Sequence, residues 1–567
     1  MAESERSTTE KEPEVHVAET GGDGEEDSSE GREKFRPGWR FQGIFLCLCL
    51  LTLVVAFDAT SLSVALPAIS TTLNITALQA FWAGTSFLLT STLSQPLLAS
   101  LSHIYGRLPL TLVSLSLFSV GSICAAACLN FSALLAGRTV QGFGAGGLIS
   151  LTEVIITDLV PLRERGTYYG YMAGTWAVGS VCGPLIGGGF AGMKSEGYAG
   201  WRLIFWFNLP IAGVAFLLLP WLLRLEKPMQ GKSGMEKLRS VDWVGVVLLT
   251  GSTTAILIPV TWGGLQYPWT NYRTLLPLIL GFMGFVGWVL YTCYTKHPNP
   301  LVQMAIFNNR TAAASYFGIL IQGIILWSLV YYLPLYYEAC HGYTPIQAGL
   351  AVLPETLTVA PVAFIVGLVI TKVGTYRWSV WMGWAVTVLG LGLMWLLDEA
   401  SKRAKWIGLN ILPGLGVGML FPGLEYATQA AAGQADVAHA AAMYNFIRAF
   451  GQGIGVAVGG AIFQDQFRKN LLRYPGFESV ASAYVRDAAT LVEVMKGMVG
   501  TEKLVLEEAY ANSLKVVWAV MAGLAGLALL VSVMTKELGI DETLQSQQGL
   551  KKVGEDSEER GRVTTVR

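Results

Sequence analysis

Six ionisable side chains stand inside apolar stretches, and they are where this chain has chemistry to offer: Asp58, Arg138, Glu153, Glu355, Glu425 and Arg448. A charged group at the mid-depth of an apolar helix costs about 2.5–3.5 kcal/mol on insertion scales, so such groups face a polar cavity and find partners. Carboxylates in that setting can exchange protons or hold a cationic group. Asp58 and Arg138 fall at similar depth along their runs, which predicts that they pair. Asp58 is then a proton-binding candidate, with a permanent ion pair as the competing reading. Glu425 and Arg448 are placed to form a second pair, and Glu355, directly after Pro354, is placed to face a cavity. Structural and functional roles stay open for all three glutamates.

Patterns that would announce an enzyme fail on context. The stretch "GFGAGG" at 142–147 matches a dinucleotide fingerprint but lies inside an apolar span with no strand before it. "GKS" at 231–233 lacks the upstream glycine of a phosphate loop. The seven cysteines show no metal-ligand spacing and read as packing residues, so neither a metal nor a cofactor is expected. A net charge of −1 gives no reason to expect nucleic acid as a partner.

The elements that must position these residues are membrane helices. Charged residues make up 14% of the chain and hydrophobic ones 52%, against about 25% charged in a soluble domain. About fourteen apolar runs from Phe41 onward are each long enough for a hydrocarbon core about 30 Å thick. Residues 1–40 and 538–567 are polar tails too poor in apolar surface to fold. With both tails in the cytoplasm, the inner loops collect most of the short-loop arginines and lysines, among them Arg107, Arg163, Arg165, Lys227, Lys296 and Lys372. "DEASKRAK" at 398–405 is the exception. A long outer loop is expected at about 465–511. Asn74 and Asn130 open glycosylation sequons in loops assigned outside; a third, at Asn309, falls inside.

The chain also repeats itself. Gly142, Gly144, Gly146 and Glu153 recur as Gly414, Gly416, Gly418 and Glu425, displaced by 272 residues. Gly179, Gly183, Gly187 and Gly188 recur at the same displacement as Gly451, Gly455, Gly459 and Gly460. "TALQA" at 76–80 matches "TPIQA" at 344–348, and Gly106 matches Gly374, both displaced by 268. The boundaries that follow are a six-helix half over 41–225, an inserted loop and helix pair over 226–310, and a second six-helix half over 311–537. Two parallel six-helix halves with a site between them are the architecture of the major facilitator fold.

Specific motifs then point to one branch. Gly170, Gly179, Gly183, Pro184, Gly187 and Gly188 keep the spacing of an antiporter motif, and "AGRTVQGFGAGG" carries Arg138. With "WRLIFWFNLP" at 201–210 and "FDATSLSVALPAI" at 57–69, the chain over about 41–540 resembles the 14-spanner drug:proton antiporters of the major facilitator superfamily, in a fungal style. The loop "LASLSHIYGRLP" is similar to that family's cytoplasmic gate, with Gly106 and Arg107 kept, but His103 replaces the usual aspartate. An aspartate–arginine latch is therefore not expected there, and a histidine can tune the latch near neutral pH.

The resemblance implies proton-coupled efflux of a hydrophobic or amphipathic drug, toxin or secondary metabolite by a monomer in the plasma membrane, with a vacuolar or vesicle membrane as the alternative. Its partners would be the small molecule, protons and the bilayer. A siderophore or organic-nutrient importer, or a non-transporting membrane sensor, are the competing functions. Trp327, Tyr331 and Tyr332, near the outer end of the ninth run, are candidates to line the cavity, although an interfacial belt also accounts for them.

Overall fold

The computed structural model describes residues 37–541 apart from 196–197, 226–227, 229–231, 265, 296, 475 and 487. Most of each polar tail, together with Lys227 and Lys296, lies outside the described residues.

Fourteen long helices carry the described chain. The first half comprises α1 (Trp39–Leu73), α2 (Ala77–Tyr105), α3 (Arg107–Ala127), α4 (Phe131–Leu159), α5 (Arg165–Gly192) and α6 (Leu203–Leu222). Next come α7 (Trp243–Trp262) and α8 (Tyr272–Tyr294), which pack on each other. The second half comprises α9 (Arg310–His341), α10 (Pro345–Val373), α11 (Arg377–Leu393), α12 (Arg403–Ala431), α13 (Val437–Leu471) and α14 (Thr501–Ser532). Among the described residues, twelve helical segments are long and apolar enough to cross a membrane; α2 and α5 match them in length but are diluted by serine, threonine and glycine. The outer face of α8 exposes Leu276, Ile279, Leu280, Phe282, Met283 and Val286, a surface suited to lipid rather than water.

The repeat has a packing cause. A Cβ at Gly142 or Gly146 would strike the α2 backbone, and one at Gly144 would strike α3. In the second half, Gly414 and Gly418 meet α10 while Gly416 meets α11. Gly179, Gly183 and Gly187 press on α1, as Gly451, Gly455 and Gly459 press on α9. Glycines four apart share a helix face, so each run lets a neighbouring backbone approach closely. The repeated "TxxQ" is a capping box in both copies: Thr76 with Gln79 opens α2, and Thr344 with Gln347 opens α10. The matching glycines close those helices at positive φ, 101° at Gly106 and 81° at Gly374, where a side chain would be strained.

One difference from the sequence reading stands out. The connection before α14 is shorter than expected, because helix continues to Leu471 and resumes at Thr501, with short helices Ala481–Arg486 and Ala488–Lys496 between.

Candidate functional site

One buried cluster lies within the first half. Arg138 Nη1 donates to Asp58 Oδ2 at 2.5 Å, Gln141 Nε2 to Asp58 Oδ1 at 2.8 Å, and Asn208 Nδ2 to the same oxygen at 2.7 Å. The guanidinium also donates to the Ala83 carbonyl at 3.1 Å and to Gln141 Oε1 at 2.6 Å, and it sits 4.2 Å above the Phe87 ring. Gln141 in turn donates to Ser122 Oγ at 2.8 Å. Helices α1, α2, α3, α4 and α6 therefore converge on one ion pair whose two members are at most 1% exposed.

A second cluster joins the two halves. Glu153 on α4 accepts from Asn445 Nδ2 of α13 at 2.5 Å, and Asn445 Oδ1 accepts from Arg448 Nη2 at 2.6 Å. Glu425 on α12 accepts from Gln429 Nε2 at 3.3 Å, and Gln429 Oε1 accepts from Arg165 Nη1 of α5 at 2.8 Å. Tyr169 of α5 accepts a further bond from Gln429 at 3.0 Å, and Tyr444 accepts from Arg448 at 3.2 Å. The direct Glu425–Arg448 pair expected from the sequence does not form. Asn445, one helical turn before Arg448, takes the guanidinium instead and passes the contact to Glu153. The repeat-related Glu153 and Glu425 do belong to the same electrostatic cluster, with Arg448 acting on both.

The end of the bundle that carries Arg107, Arg163 and Arg165 is sealed between the halves. Arg163 donates to the carbonyls of Thr371 at 2.8 Å and Lys372 at 3.0 Å, and it pairs with Asp541. Its own carbonyl accepts from Thr371 Oγ1 at 2.9 Å and from the Tyr426 hydroxyl at 2.7 Å. Helices α5 and α10 approach so closely that a Cβ at Gly166 or Gly367 would meet the opposing backbone, and one at Gly170 would meet Phe364. His103 stacks on His439 of α13 with ring centroids 4.0 Å apart. Arg107 Nε donates to Asp158 Oδ2 at 2.8 Å and its Nη2 lies 3.3 Å from His103 Nδ1, so an aspartate from the end of α4 joins His103 around this arginine.

The other candidates scatter. Glu355 is 1% exposed; its Oε2 accepts from Thr356 at 3.0 Å, while Oε1 has no hydrogen-bond partner. Both amide atoms of buried Gln322 on α9 are likewise unpartnered. Tyr332 donates to the Val456 carbonyl at 2.6 Å and packs on Gly459, so it joins α9 to α13. Trp327 is half-buried and Tyr331 exposed. Gly188 meets only the Val64 side chain. Asn74 is exposed in the left-handed region, and exposed Asn130 caps α4 through its side-chain oxygen.

Several site residues escape the sequence reading. Gln141 and Asn445 sit three positions from an arginine, Gln429 four from Glu425, and Tyr169 four from Arg165, the spacings that share a helix face. Those spacings could have found them. Asp158, His439 and Asp541 meet their partners only through tertiary packing and carry no such signal.

Two repeated halves of membrane-length helices, with ionisable groups buried between them, define a multi-pass membrane transporter. The family model described as Major Facilitator Superfamily matches residues 48–456, and this chain belongs to that superfamily. It is 46% identical over 525 residues to the MFS transporter L2 of a Phoma species, covering 92% of this chain and 86% of that protein. It is 33% identical over 528 residues to the MFS-type efflux pump LUC4 of a Fusarium species, covering 91% of each. Its fold is similar to that of the human organic anion transporter MFSD10, with a TM-score of 0.53 at 14% identity over 86% of this chain and 98% of that one.

Proposed function

We propose that this protein exports an apolar or amphipathic small molecule, of the secondary-metabolite or toxin class, in exchange for protons. The observation that carries the reading is the cross-half cluster: two repeat-related carboxylates, Glu153 and Glu425, each hydrogen-bonded to an amide and neither within ion-pair distance of a guanidinium among the described residues. Such a carboxylate can take up a proton without first breaking an ion pair. Asp58, held by three donors, acts instead as a fixed post for the first half. The efflux pump among the relatives supports the direction of transport.

The sealed, arginine-bearing end faces the cytoplasm, as the positive-inside rule requires. The substrate is taken between the halves, where Glu355 and Gln322 offer polar groups to an otherwise apolar molecule and Trp327 and Tyr331 offer rings. Antiport then follows a simple order. Protons taken from outside loosen the cytoplasmic seal, the site opens inward, protons leave, and the substrate binds in their place.

The test is accumulation of labelled apolar toxins and ferric siderophores in pump-deficient cells expressing the protein, with and without a protonophore. Lower toxin accumulation, abolished by the protonophore and by Glu425→Gln, is the expected result. Raised accumulation of a siderophore or any other panel member would make the protein an importer.

A further inference from the structure

The cross-half cluster contains two copies of one device. Each copy runs guanidinium, amide, carboxylate, and each crosses the boundary between the halves. Glu153 of the first half is reached from Arg448 through Asn445 of the second. In the other copy Arg165 of the first half reaches Glu425 through Gln429 of the second. In both, the amide oxygen faces the cation and the amide nitrogen faces the carboxylate. Neither amide has a repeat counterpart: Ala173 stands at the position equivalent to Asn445, and Thr157 at the one equivalent to Gln429.

We infer that Asn445 and Gln429 are positioning residues that convert protonation of Glu153 and Glu425 into loss of contact between the halves. The inference rests on the proton-coupled reading above. An ionised carboxylate only accepts, so it holds the amide nitrogen toward itself and leaves the amide oxygen for the guanidinium. A protonated carboxyl gains one O–H donor, and that donor is best met by the amide oxygen. Turning the amide to meet it points the NH₂ group at the guanidinium, which has donors only. The arginine is left with an unmet buried donor, an arrangement that costs more than a simple lost contact. Two such losses across one seam weaken the seal that the halves share.

Other ionisable groups face this device. Tyr169 and Tyr444 lie beside both carboxylates, Tyr426 lies beside Arg165 and Glu425, and Asp158 acts on Arg165 while paired with Arg107. Tyrosines titrate near pH 10 in water; His103 and His439 lie at the same seam but meet each other and Arg107, so the two glutamates are the titratable groups that the amides touch.

Hydrogen–deuterium exchange on the purified full-length protein tests this without a substrate. The readout is the opening equilibrium of segments 160–166 and 371–377, followed from about pH 8 to about pH 5 after correction for intrinsic exchange. An opening that takes up one proton grows about tenfold per pH unit, and two linked protons steepen the slope to about a hundredfold. The wild type should show the steep slope. Asn445→Leu or Gln429→Met should each remove about one proton from it, whereas plain loss of packing raises the opening constant without changing the slope. Asn445→Ala serves if the leucine variant does not fold, because it removes the amide without adding bulk or a titratable group. An unchanged slope in the amide variants, with a reduced one in Glu153→Gln, overturns the amide relay alone. An unchanged slope in Glu153→Gln and Glu425→Gln as well overturns the proton-site reading beneath it.

Discussion

Arg138 is almost fully buried, and its charge is tolerable only because Asp58 meets it and Gln141 and Ala83 satisfy other donors. Removing one member of such a pair strands the other, at a cost of about 3–5 kcal/mol. Asp58→Ala is therefore expected to lower the thermal unfolding midpoint sharply and to reduce the folded yield in membranes, as read by fluorescence-detected size exclusion. Glu153→Gln should behave differently. Glutamine keeps an oxygen for the Asn445 amide, so the protein should fold with near-normal stability while losing proton dependence. If Glu153→Gln proved as destabilising as Asp58→Ala, its role would be that of a structural post too. The two buried clusters thus differ in kind: one ties five helices of a single half, and the other bridges the halves through neutral amides.

Helices in this bundle meet where glycine removes a side chain, and the consequences can be checked one position at a time. A Cβ at Gly146 or Gly418 would collide with the backbone of α2 or α10, so Gly146→Ala and Gly418→Ala should each cost roughly 1–3 kcal/mol through forced helix displacement. Nothing lies near a Cβ at Gly251 of α7, and Gly251→Ala should be neutral or stabilising by up to about 1 kcal/mol. Equal effects at all three positions would contradict the packing account. Thr76→Ala and Thr344→Ala remove matched N-caps and should each cost about 1 kcal/mol. Much of this scale can be read from the chain itself. Apolar runs locate the helices because membrane length demands them, and the glycine register shows because close approach admits no other residue. The Asp58–Arg138 pair is legible because depth along a helix follows from residue count. Asp158 against Arg107, His439 against His103, and the amide between Arg448 and Glu153 are not legible. Each depends on which helices become neighbours and how they rotate, and that is a property of the assembled bundle.

At the scale of the whole molecule, the halves are joined at the arginine-bearing end through Arg163, the Gly166–Gly367 contact, the histidine stack and the two amide bridges. The segment after α14 reinforces that end: Glu537 accepts from the backbone amides of Tyr376 at 2.9 Å and Arg377 at 3.1 Å, and Ile540 is buried against Leu162 of the first half. Arg163→Ala removes its bonds to Thr371, Lys372 and Asp541 and should increase hydrogen exchange at 371–377 without exposing the Asp58 cluster. Exchange spreading equally to both regions would mean general unfolding rather than an opened seam. The most direct test of proton-coupled export is transport into liposomes whose acidic lumen stands for the cell exterior, using a compound that the cell assay shows to be exported. Uptake of the compound should be accompanied by alkalinisation of the lumen, and both should vanish in Glu425→Gln. Uptake that proceeds equally with and without the pH gradient would contradict the account.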